Sequence, residues 1–88
     1  MGYKLFARKN FLKASAKLPL RYQQKLKRAI SMLQEDPGNT RLHAKQLGGK
    51  LTGLYSFRIT REYRAVFQFT LPNEIELIDL AHRKDIYR

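Results

Sequence analysis

The sequence predicts an α+β fold in which two helices pack on one face of a small, mainly antiparallel four-stranded sheet, in the order β-α-α-β-β-β. Three observations lead there. From Pro19 to Glu35 apolar residues recur at helical spacing, whereas beyond Gly53 the apolar period shortens to two. Between these halves, "DPGN" and a glycine-bearing connector stop one pattern before the other begins. At 88 residues there is room for one modest core, so residues 1–88 read as a single domain.

Taken in order, "YKLFA" (Tyr3 to Ala7) is short and alternating and reads as an opening strand. "KNFLKASAKLP" suits a short helix with Asn10 as its N-cap, and Pro19 ends it or starts the next. In the long helix Tyr22, Leu26, Ala29, Ile30 and Leu33 draw one apolar stripe, with Arg21, Lys25 and Arg28 on another side. Residues 40–53 read as a connector. "LYSFRIT" then sets Tyr55, Phe57 and Ile59 against Ser56, Arg58 and Thr60. "EYRAVFQFT" sets Tyr63, Ala65, Phe67 and Phe69 against Arg64, Val66 and Gln68. "LPNE" makes a turn and "EIELIDLA" a further strand, so short loops join these three strands into an antiparallel meander. The aromatic face must meet the helices, which leaves Arg58 and Arg64 together on the opposite face.

Composition narrows the function. The chain is 43% hydrophobic and 11% aromatic, too apolar for a disordered segment. No cysteine is present, which removes disulfides and thiolate metal sites and fits a reducing, cytoplasmic setting. Lys4 and Arg8 interrupt the N-terminal apolar character, and no run suits a signal peptide or a membrane span. Eighteen Lys and Arg against seven Asp and Glu give a formal net charge of +11, which points to RNA, DNA or an acidic protein as partner.

Phosphate loops and metal-ligand clusters are missing, and no cofactor is expected. "LGGK" has neither phosphate-loop spacing, and His43 and His82 stand alone, His43 reading as a surface or structural residue. A nuclease built here would therefore work without metal. Such cleavage needs a base for the 2′-hydroxyl, cations for the phosphorane and an acid for the departing 5′-oxygen. Histidine serves as base or acid. Arginine offers planar forked donors to phosphate. Tyrosine stacks on a base or gives up a proton among cations. Arg58, Arg64, His82, Arg83 and Tyr87 are these residue types, at a sheet face and in the tail beyond the last strand. Each also has a plain reading as a solvated or packed side chain.

Together these residues resemble a known family. The connector "LGGKLTGLYSFRI", the strand "REYRAVFQF" and the ending "AHRKDIY" are similar to those of the RelE/ParE superfamily of toxins. The resemblance spans nearly the whole chain. It implies the toxin of a type II toxin–antitoxin pair, held by a small acidic antitoxin, which enters the ribosome and cuts mRNA by 2′-hydroxyl attack without metal. By the same resemblance, Arg58 and Arg64 hold phosphate, His82 or Tyr87 moves protons and Arg83 assists. Lys50, Arg61 and Lys84 are expected to contact RNA. Some relatives carry lysines on the strand at 54–60; this chain has none there, which moves proton transfer towards His82 and Tyr87. The alternatives are a ParE-like poison of DNA gyrase, which does not cut RNA, and a non-catalytic basic RNA-binding module.

Overall fold

The computed structural model describes residues 2–86. Its element order is β1 (Lys4–Ala7), α1 (Lys9–Ala16), α2 (Leu20–Glu35), β2 (Lys45–Gln46), β3 (Tyr55–Arg58), β4 (Tyr63–Leu71) and β5 (Glu74–His82). The sheet runs β1-β5-β4-β3-β2. Among the described residues only the β1–β5 pairing is parallel, with Leu5 opposite Ile75; the others are antiparallel. The α+β architecture is as expected from the sequence, with five strands instead of four. The added strand is β2, two connector residues that pair with Ser56 and Tyr55.

The stripe on α2 is the helical half of the core. Leu26, Ala29 and Leu33 are buried and meet Phe57, Ala65, Phe67, Ile75, Leu77 and Leu80 of the sheet. Helix α1 buries only Phe11. Its start departs from expectation: Arg8, not Asn10, is the N-cap residue, and no side chain caps it. The Arg8 N–H is instead bonded to the Leu77 carbonyl at 2.9 Å, so the strand fixes where the helix begins. Likewise Tyr3 falls just outside β1 because its N–H donates to the Gln34 carbonyl at the end of α2, at 2.8 Å. Pro19 is the N-cap residue of α2, and Pro37 follows its end.

The second sheet face is not simply solvent. Leu47, Val66 and Ile86 are buried there, with Leu51, Leu54, Ile78 and Ala81 packed around them. The connector and the chain's last described residues thus cover part of this face and leave the rest open. Two register shifts shape it, one of them between Val66 and Phe67. There Val66 pairs with Asp79 and Phe67 with Leu77, so Ile78 is an extra residue in β5.

Candidate functional site

The open part of the second face is a concavity of about 450 Å³ lined by Lys45, Arg58, Arg61, Arg64, Arg83 and Lys84. All six are cations from four parts of the chain. β2 brings Lys45, β3 brings Arg58, and β4 with the turn before it brings Arg64 and Arg61. Arg83 and Lys84 come from the turn after β5. Arg58 and Arg64 are directly opposite across β3 and β4, where like charges repel. The strands hold that repulsion in place, which prepares the site for an anion.

Arg64 is held by three of the described bonds. Its Nε and Nη2 donate to the Ser56 hydroxyl at 3.2 and 3.0 Å, and Nη2 donates to the His43 carbonyl at 2.8 Å. Ser56 is fully buried. The His43 carbonyl is presented by a left-handed backbone turn with φ 47°, an uncommon conformation for a residue other than glycine. The guanidinium plane is therefore set before any ligand arrives.

The expected site residues divide. Arg58, Arg61, Arg64, Arg83 and Lys84 come together in the concavity. Lys50 is exposed in the 3-10 turn Gly49–Leu51 and is not one of the described lining residues. Tyr87 lies outside the described residues. His82 pairs with Tyr63 on the helix-facing side, one position off the Arg64–Ala81 row. Its ring meets the Tyr63 ring edge-on at 5.5 Å, and its Nδ1 accepts a bond from the Lys84 N–H at 3.2 Å. The expected grouping of His82 with the arginines is thus not how its ring packs.

Sequence reasoning missed Lys45, Ser56 and the His43 carbonyl. Ser56 carried a signal, because it is polar, lies between Tyr55 and Phe57, and shares a face with Arg58. Lys45 carried none, since two residues cannot display a period. Among the described residues no three His, Asp or Glu side chains come together as a metal ion would need. No helix among them is long and apolar enough to cross a membrane.

Two helices on a mainly antiparallel sheet, with a cationic concavity on the far face, define a small basic protein of the RelE-like toxin fold. The family model described as the ParE toxin of the type II toxin–antitoxin system parDE matches residues 5–87. The chain belongs to that family, within the RelE/ParE superfamily that its motifs resemble. No curated protein matches it in sequence. Among solved structures it is similar to the YoeB/ParE toxin from Agrobacterium tumefaciens, with TM-score 0.77 and 21% identity over 91% of this chain and 98% of that one. A chain of the toxin–antitoxin complex RelBE2 from Mycobacterium tuberculosis gives TM-score 0.76 and 22% identity, covering 94% of this chain and 100% of that one. The archaeal RelE–RelB complex from Pyrococcus horikoshii gives 0.79 and 23%, covering 97% and 99%.

Proposed function

We propose that this toxin is a ribosome-dependent mRNA endoribonuclease that cleaves by 2′-hydroxyl attack without a metal. The observation that carries the reading is the concavity lined by six cations, in which the Arg64 guanidinium is already oriented. A scissile phosphate seated there gains negative charge as the 2′-oxygen bonds to phosphorus, and fixed donors stabilise that charge without reorganising. Arg64 and Arg58 take the phosphorane oxygens from the two strands. Arg83 approaches from the turn after β5, and Lys45, Arg61 and Lys84 hold flanking phosphates. Lys50, outside the concavity, contacts RNA further along.

Arginine, with a pKa above about 12, is a poor base. We therefore assign proton transfer to Tyr87, because the His82 ring packs on Tyr63 on the other face and its Nδ1 is engaged by the Lys84 N–H. The 2′-hydroxyl gives its proton to water as it attacks, the bond to the 5′-oxygen breaks, and the Tyr87 hydroxyl protonates that oxygen as it leaves, to be reprotonated from water. The neutralising partner is a small acidic antitoxin. A basic chain and neighbours solved as toxin–antitoxin complexes support that partner.

Two observations favour a second reading. The matching family model is named for ParE, and His82 is not presented to the concavity, so a ParE-like poison acting on DNA gyrase would also use this cationic face. The deciding experiment adds purified toxin to a translation reaction and maps mRNA ends by primer extension. Cleavage only with ribosomes present is expected, and lost with Arg64→Ala. Intact mRNA together with trapped gyrase–DNA breaks would select the second reading.

A further inference from the structure

β5 ends at His82, and the next four described residues fold back as a turn. His82 organises that turn with two acceptors. Its Nδ1 takes the Lys84 N–H at 3.2 Å, and its carbonyl takes the Asp85 and Ile86 N–H groups at 2.8 and 3.1 Å. The Arg83 N–H goes to the Glu62 carbonyl at 2.7 Å, and Ile86 packs with Val66 and Leu47. With Nδ1 accepting, the proton of the neutral ring lies on Nε2, a tautomer assigned from that bond. The ring itself is wedged in place. Tyr63 meets it edge-on at 5.5 Å, Tyr22 packs on Tyr63 at 5.5 Å, and the Arg21 guanidinium stands 4.9 Å from the Tyr22 ring centre.

We propose that His82 is a positioning residue, whose Nδ1 bond to the Lys84 N–H sets the turn that delivers Arg83 and Lys84 into the cationic concavity. The inference rests on the reading of that concavity as a phosphate site and deepens it. It gives His82 a task that its ring can perform from the opposite face, where direct contact with the reacting phosphate is not available to it. It also predicts which features of the side chain matter. The acceptor at the Nδ1 position is required; the titratable imidazole is not. Asparagine places its Oδ1 close to where Nδ1 stands and supplies the acceptor. Phenylalanine keeps the ring on Tyr63 and removes the acceptor.

The test measures binding of a fluorescent 2′-O-methyl oligouridylate, which cannot be cleaved, by anisotropy over a salt series. Each phosphate contact to a single strand contributes about 0.7 to the slope of log affinity against log salt, so losing Arg83 and Lys84 lowers the slope by about 1.4. The Arg83→Ala/Lys84→Ala pair should show that drop. His82→Ala and His82→Phe should lower the slope in the same direction by part of that amount, and His82→Asn should restore the slope and, in the translation reaction, mRNA cleavage. A role for the imidazole in proton transfer would give the contrary pattern, with normal slopes throughout and His82→Asn as inactive as His82→Ala. A purely structural role would lower thermal stability in all three variants without separating His82→Asn from His82→Phe. Either pattern overturns the proposal. Should His82→Ala not fold, the comparison of His82→Asn with His82→Phe decides alone. If the wild-type chain does not bind the probe, or the Arg83/Lys84 pair leaves its slope unchanged, the phosphate reading itself falls. If that pair lowers the slope and His82→Phe does not, only the positioning role falls.

Discussion

Ser56→Ala is the most informative perturbation of the site, because it removes one oxygen that touches no ligand. Ser56 is 0% exposed and accepts two of the described bonds that orient Arg64, at 3.2 and 3.0 Å. Hydrogen bonds involving a charged group contribute about 1.5–3 kcal/mol. Arg64 is half-buried and keeps its bond to the His43 carbonyl, so water and that carbonyl recover part of the loss. The lower end of the range, about 1.5 kcal/mol, applies, and at about 1.36 kcal/mol per decade this is roughly a tenfold fall in rate. The loss belongs to the transition state, so kcat should fall while KM changes little. The fold itself should lose about 1 kcal/mol, a drop in Tm of roughly 4–8 °C for a domain of this size. The assay is single-turnover cleavage of mRNA on programmed ribosomes, with thermal denaturation in parallel. Arg64→Lys should be impaired as well, since an ammonium cannot reproduce the planar fork. A Ser56→Ala chain that folds and cuts at the wild-type rate would refute the claim that preorientation of Arg64 matters.

Three further outcomes concern the concavity, the core and an ion pair. Lys45→Ala should lower the salt slope of RNA binding by about 0.7, while Lys50→Ala, outside the concavity, should change it less. Leu33→Ala empties a fully buried position where α2 meets the sheet and should cost about 2–5 kcal/mol in denaturant unfolding. The third outcome concerns pH. The Arg8 guanidinium, bonded to Glu76 at 3.0 Å, holds the Glu76 carboxyl below its ordinary range, with Gln68 adding to the effect. A lowered carboxylate pKa stabilises the fold above the unfolded value of about 4.3, and that contribution is lost as pH falls through the folded value. Arg8 is exposed and Glu76 only half-buried, so the loss should be small, absent in Glu76→Gln and weakened by salt; unfolding midpoints between neutral and acid pH measure it.

What was legible in the sequence follows from how far each signal is local. The stripe from Tyr22 to Leu33 and the alternation through β3 and β4 are local patterns, and they placed α2, the meander and the Arg58–Arg64 face. β2 was not legible because it is two residues long and exists only through its pairing with β3. The start of α1 was set by a bond from Arg8 to Leu77, a contact between residues far apart in sequence. Val66 reads as solvent-facing by alternation, yet Leu47 and Ile86 arrive from distant segments to cover it. His82 is the most instructive case. Counting in twos from Ile75 and Leu77 puts His82 on the arginine face. The extra residue at Ile78 shifts the phase, so that Leu80 enters the core and His82 joins Tyr63. No residue type at Ile78 announces that bulge.

The central claim is that the cationic concavity lets a 2′-hydroxyl attack the neighbouring phosphorus. Chemical analysis of the cut ends tests it most directly. Ribosomes programmed with mRNA, treated with the toxin in the presence of a metal chelator effective against transition metals, should yield 2′,3′-cyclic phosphate and 5′-hydroxyl ends. A single 2′-deoxy substitution at the cut position should abolish the cut. Ends carrying 3′-hydroxyl and 5′-phosphate, or undiminished cleavage of the 2′-deoxy substrate, would contradict the account.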